Sequence, residues 1–165
     1  MHPALLVIDV QKAFFEINPA TTQSLNAAIE YINAAIDLFR EKDLPVICIQ
    51  HSDENDGLVP GYAGFDLPEA LKVLPTDLHI IKTYSNAFNK TPLLEQLHAL
   101  GVDTVIITGF CAEFCVLSTC RGAEDMDLEA IILRGSLASL TQEHIAFVEA
   151  VNEVISFGAL RAVLG

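Results

Sequence analysis

The order of apolar patterns along this chain predicts an α/β protein, a three-layer α/β/α arrangement around a six-stranded parallel sheet. Three observations predict it. Short β-branched runs, Ala4-Leu5-Leu6-Val7-Ile8 and Val105-Ile106-Ile107 among them, are apolar throughout, as strands covered on both faces are. Segments of helical periodicity separate these runs, and glycines such as Gly101 and Gly109 stand at the junctions. No repeat or low-complexity tract interrupts the alternation, and 165 residues suit a single domain, 1–165.

The first strand runs from Ala4 to Asp9 and ends on a carboxylate. Leu25, Ala28, Ile29, Ile32, Ala35, Ile36 and Phe39 recur on one helical face and predict a long helix ending near Lys42. Val46 to Gln50 reads as the second strand. A loop containing glycine and proline, Asp53 to Asp66, then leads to a short helix predicted around Pro68 to Val73. His79-Ile80-Ile81-Lys82 forms the third strand, and a helix from Leu93 to Leu100 stops at Gly101. The fourth strand ends at Gly109, and after a short turn a helix opens that holds Cys115. Leu128 to Leu133 predicts a fifth strand, Thr141 to Val154 a helix capped by Thr141, and Leu160 to Leu164 a sixth strand.

Composition excludes several functions. The chain is 52% hydrophobic and 19% charged, with a net charge of −13. Nucleic acid requires a basic footprint, so it is not an expected partner. No apolar window reaches the roughly 18 residues of a membrane span, and no basic segment precedes an apolar one as in a secretion signal. No membrane partner and a cytoplasmic location are therefore expected. The charged share is below the usual quarter or so, which points to surface hidden in subunit contacts. We expect a homo-oligomer, dimer or higher, with Cys120, Ala123 and the loop from Asp53 to Asp66 at its interface. The four cysteines lack the paired C-x-x-C spacing of structural zinc, and reduced thiols are the default. No G-x-G-x-x-G follows the first strand, and no cofactor is expected.

Chemistry is expected where strands end. Cys115 lies beyond the fourth strand in the first turn of a predicted helix, where free N–H groups and the helix dipole lower a thiol pKa. From this segment alone the thiol reads equally as a nucleophile or as a small core residue. Asp9 ends the first strand and Lys82 the third. Singly, Asp9 also reads as a helix N-cap and Lys82 as a solvated charge. Together the acid, the base and the thiol mark the strand-end edge where open α/β folds bind ligands. In the Rossmann-like order 3-2-1-4-5-6, Asp9 and Cys115 lie on adjacent strands, about 5 Å apart, while the Lys82 strand is about 10 Å from Asp9. The long lysine side chain, or a bend, must close that gap.

At these residues the chain resembles the isochorismatase-like cysteine hydrolases. Asp9-Val10-Gln11-Lys12-Ala13-Phe14 resembles their opening D-x-Q-x-x-F. Lys82-Thr83-Tyr84-Ser85-Asn86-Ala87-Phe88 resembles their K-x-x-x-S-A-F, and the run from Gly109 to Val116 their G-x-x-T-x-x-C-V nucleophile turn. The resemblance covers nearly the whole chain, is strongly specific to the superfamily and weakly specific to a substrate. It implies a triad of Asp9, Lys82 and Cys115, and a cis peptide between Phe110 and Cys111. Ala112 stands where the family usually has threonine, and Asn86 where serine is common.

The implied reaction is hydrolysis of a small amide or related acyl C–N substrate through a thioester. Asp9 would carry the proton, Lys82 would steady negative charge, and the turn Phe110-Cys111-Ala112 would present the Cys111 and Cys115 N–H groups to an oxyanion. Glu113 complicates this, because a carboxylate so near raises the thiol pKa unless it points to solvent. Gln11, Phe14, Tyr84, Phe88, Phe110 and Phe114 flank the motifs and, with His51, are expected to line a pocket for a small molecule. Nicotinamidases of the family carry an Asp-x-His pair and a further histidine after the second strand. Here Gln50-His51-Ser52-Asp53 reverses that order with no later histidine before His79, so no metal is expected. Two alternatives stand: hydrolysis of a vinyl ether as in isochorismatases, where the thiol is dispensable, and a redox or catalytically silent interaction protein.

Overall fold

In the computed structural model, which describes residues 1–165, strand β1 (Pro3–Ile8) is buried at every residue because both of its faces are covered. Ala4, Leu6 and Ile8 enter one apolar layer, and Leu5 and Val7 the other. Helix α1 (Lys12–Phe15) is a single turn, and α2 (Pro19–Glu41) is the longest helix. Strands β2 (Val46–His51) and β3 (Leu78–Lys82) follow, then helix α3 (Leu93–Ala99) and strand β4 (Thr104–Gly109). A π-helical turn, Ala112–Val116, runs into α4 (Leu117–Asp125). Strand β5 (Glu129–Leu137), helix α5 (Gln142–Ala150), strand β6 (Glu153–Ile155) and helix α6 (Phe157–Leu164) complete the chain.

The six strands form one parallel sheet in the expected order, β3-β2-β1-β4-β5-β6. Residues of α3, α4 and α5 cover one face, and those of α2 and α6 the other. All seven residues expected on the inner face of α2 are buried. That helix begins at Asn18, whose side chain accepts the Thr21 N–H at 2.8 Å, with Pro19 in the first turn. No helix is long and apolar enough to cross a membrane.

Two backbone features position the site. Asp9 leaves β1 with φ +53°, a left-handed conformation rarely adopted by residues other than glycine, while its N–H still donates to Ile49 O. Gly109, opposite Ile8 in the β1–β4 register, has φ +116°, and a Cβ there would stand 2.0 Å from Ile8 O. Only glycine lets the end of β4 press this closely on β1, and so brings the turn carrying Cys115 beside Asp9.

Three expectations fail locally. Leu160–Leu164 is helical rather than the sixth strand. Ser156 caps α6 by accepting the Ala159 N–H, and the edge strand is the short Glu153–Ile155, paired with Ile131–Leu133. Pro68–Val73 forms no helix. The polar side chains of α2 satisfy that segment's backbone instead: Asn33 bonds Ala70 O and Lys72 N, and Arg40 bonds Lys72 O. Thr141 precedes α5 but makes no side-chain cap, and the helix ends at Ala150 rather than Val154.

Candidate active site

Lys82 is the centre of the site. Its side chain is fully buried and crosses the end of β2, where His51 is its direct neighbour in the parallel register. The ammonium has three protons and three partners: Asp9 Oδ2 at 2.9 Å, His51 Nδ1 at 3.0 Å and Cys115 Sγ at 3.3 Å. The gap of two strands is thus closed by the length of the side chain itself. Asp9 is 1% exposed, and its second oxygen, Oδ1, is buried without any hydrogen-bond partner. Burial pushes the Asp9 carboxyl pKa up, against the pull of the ammonium.

The thiol does not behave as its place in the chain suggests. Burial, and then the Asp9 carboxylate, push the Cys115 pKa up to about 12, which overturns the expectation of a lowered value. The reason is geometric. Cys115 is the fourth residue of its helical turn, and the neighbouring N–H groups of Phe114 and Val116 already donate to Cys111 O at 3.0 and 3.2 Å. No free turn of amides faces the sulfur, so the resting group is a thiol that needs a base.

The peptide between Phe110 and Cys111 is cis. Ala112 N–H donates to Ala138 O at 2.9 Å, whereas Cys111 N–H is not bonded to any backbone carbonyl. Glu113 turns neither toward the thiol nor freely into solvent. Its Oε2 accepts the Ser139 hydroxyl at 2.7 Å, and its Oε1 pairs with His144 Nδ1 at 2.9 Å. Those two bonds outweigh its partial burial and hold its pKa below the usual carboxylate value. No motif pointed to Ser139 or His144; only the fold brings them to the turn.

The remaining candidates are distributed unevenly. Gln11 is fully buried, and its amide is spent on the His51 backbone, donating to His51 O at 2.9 Å and accepting His51 N–H at 2.7 Å. Phe14 stacks on Phe110 with centroids 4.9 Å apart, and Phe110 belongs to the layer under α2. Phe88 is buried in the opposite layer. Tyr84 and Phe114 are exposed, and Lys90 donates to the Tyr84 hydroxyl. Asn86 accepts the Phe88 N–H and lies so close to Gly122 that a Cβ there would stand 2.3 Å from its Oδ1. With the Ala87 N–H on Thr119 Oγ1, this docks the segment after β3 onto α4. Cys120 and Ala123, expected at a subunit contact, are in the core.

Donor atoms of Asp9, His51 and Cys115 lie within 4.8 Å of one another, a spacing that would suit a divalent cation. The ammonium of Lys82 already sits among them and supplies the positive charge. A surface cleft of about 620 Å³ between Phe15 and Asn26 contains none of these groups. Convergent polar chemistry, rather than cleft size, marks the site.

The fold and these groups define the class: an α/β enzyme with a thiol at the carboxyl edge of its sheet. A family model described as Isochorismatase domain matches residues 3–156, and the chain belongs to that family of hydrolases. The uncharacterized isochorismatase family protein YrdC of Bacillus subtilis (strain 168) is 33% identical over 138 residues, 82% of this chain and 73% of YrdC. Nicotinamidase 3 of Arabidopsis thaliana is 27% identical over 135 residues, 73% of this chain and 65% of its own. A solved isochorismatase family protein superposes with a TM-score of 0.84 at 30% identity, covering 94% of this chain and 98% of that one.

Proposed function

We propose that the chain hydrolyses a small amide or related acyl C–N bond, with Cys115 as nucleophile, Asp9 as proton carrier and Lys82 as the fixed positive charge. One observation carries this reading: the thiol and the carboxylate share one buried ammonium, while Asp9 Oδ1 is left without a partner beside the sulfur. A raised thiol pKa suits a mechanism in which the proton leaves as the bond forms. Cys115 Sγ attacks the carbonyl carbon and its proton passes to Asp9. The oxygen gains charge toward the unspent Cys111 N–H, and the Cys115 N–H completes the pair. Collapse expels the amine, which takes the proton from Asp9, and leaves a thioester. Water, deprotonated by Asp9, then releases the carboxylic acid and restores the thiol. A nicotinamidase among the relatives agrees with amide chemistry.

The test is an activity screen over small amides, carbamoyl compounds and isochorismate, with acid-quenched mass spectrometry and Cys115→Ala as control. An acyl mass on Cys115 and loss of turnover in the variant are expected. Isochorismate turnover that survives the substitution would favour vinyl-ether cleavage, and a reversible sulfenate or disulfide as the only modification would favour redox work. We also infer a homo-oligomer in the cytoplasm. Four exposed residues on neighbouring segments support subunit contact: Phe114 in the nucleophile turn, Leu140, and Phe147 and Val151 at α5.

A further inference from the structure

His51 is tied down twice without any use of its outer ring nitrogen. Gln11 clamps its backbone from both sides, and its Nδ1 meets the Lys82 ammonium at 3.0 Å. An ammonium offers only donors, so Nδ1 must accept, and in the neutral ring the proton is then on Nε2. Burial, followed by the charge of Lys82, holds the His51 pKa below its usual value, so the neutral ring is the form present near pH 7. Nε2 has no protein partner, although the residue is partly buried beside the thiol and Asp9. The neighbouring ammonium has no proton left for a ligand, because all three are engaged. A substrate acceptor reaching this part of the site therefore meets the unspent Nε2–H of His51 beside the reacting thiol.

We propose that the His51 Nε2–H is a substrate-binding donor that selects amides carrying a second acceptor, a carbonyl or carboxylate oxygen, near the scissile carbonyl. This rests on the amide-hydrolase reading for its substrate class. Lys82 thereby does two things: it holds the reacting carboxylate and thiol, and it fixes the tautomer of the binding histidine. Gln11 acts through His51 and is a positioning residue.

The experiment separates the two readings. Histidine-15N-labelled Cys115→Ser protein, which keeps an acceptor at that position, is titrated with succinamate and with butanamide, and His51 is assigned by comparison with His51→Gln. A neutral ring protonated at Nε2 is expected, whose resonance shifts with succinamate and not with butanamide. A ring protonated at Nδ1, or no shift with succinamate, overturns the proposal whether or not the native enzyme hydrolyses amides. In kinetics of the native enzyme, His51→Leu should raise KM for succinamate roughly tenfold to a hundredfold, as loss of a hydrogen bond to a charged group does. The rise should be at least about tenfold larger for succinamate than for butanamide, and His51→Gln should recover most of that difference. Equal losses for both amides would reduce His51 to a support for Lys82. Absence of any amide turnover, with the tautomer and shift as expected, would count against the hydrolase reading alone.

Discussion

Two polar clusters flank the turn that carries Cys115, and they are built on opposite principles. Around Lys82 the ammonium is fully used, but the groups it organises keep free valences: Asp9 Oδ1 and His51 Nε2 have no protein partner. Around Glu113 the carboxylate keeps no free oxygen. Both carboxylate oxygens are bonded, and the Ser139 hydroxyl also accepts the Thr141 N–H at 3.0 Å. The first cluster has its side chains at 0% and 2% exposure for the ion pair, whereas the second reaches the surface through His144 at 49%. A saturated network resists deformation, and an unsaturated one beside it is poised for a ligand. The contrast separates what anchors the turn from the groups proposed to react.

The largest effects should come from breaking the Lys82 cluster. Lys82→Met strands a buried carboxylate and should cost about 3–5 kcal/mol, read from denaturant midpoints, while adding Asp9→Asn should recover much of that loss. Asp9→Asn alone should lower kcat by roughly 10²–10⁴-fold, since it removes the proposed proton carrier. Retention of activity in that variant would break the assignment.

The Glu113 cluster should give a smaller, mainly structural response. Glu113→Gln should destabilise by about 1.5–3 kcal/mol, the range for a hydrogen bond to a charged partner. The sign of its pH dependence follows from a folded pKa below the unfolded 4.5. The native state binds fewer protons, so the contribution is present above pH 4.5 and is lost as pH falls through the folded value. The gap between native and variant midpoints should therefore close in acid. A gap that widens would mean that Glu113 is not held as an anion.

Thiol chemistry sharpens the comparison further. Cys111 is pushed up to about 11, and Cys48, Cys115 and Cys120 to about 12, from 9.0, chiefly by burial. Unfolded thiols ionise first as pH rises, the folded state then binds more protons, and stability should fall from about pH 9 toward 12. At neutral pH iodoacetamide should label Cys115 before the other three, because it alone is not fully buried. Its rate should not exceed that of a free thiol. A faster reaction would restore the low-pKa expectation. The smallest effect on the site itself should come from Phe147→Glu, which is expected to shift sedimentation toward monomer while leaving the Lys82 cluster intact. A wild-type monomer at micromolar concentration would overturn the oligomer.

Much of the architecture was legible because it depends on local pattern. The inner face of α2 and the apolar strands follow from periodicity, which burial enforces residue by residue. Asp9, Lys82 and Cys115 were legible as strand-end residues, and the resemblance joined them. Leu160–Leu164 was misread because a short apolar run satisfies either period, and only the Ser156 cap and packing beneath α2 decide for a helix. The thiol pKa was misread for a different reason: position in a helical turn is local, whereas the field at the sulfur is a sum over every neighbour.

The sequence by itself determined the alternation of elements, the acid, base and thiol at the strand ends and the glycine that bounds β4. Only the tertiary structure decided that three side chains share one ammonium, that Glu113 is drawn away toward Ser139 and His144, and that His51 turns its Nδ1 to Lys82. Periodicity and spacing act along the chain within a few residues. Hydrogen bonds and desolvation act through space, between residues such as Asp9 and Lys82 that lie 73 positions apart.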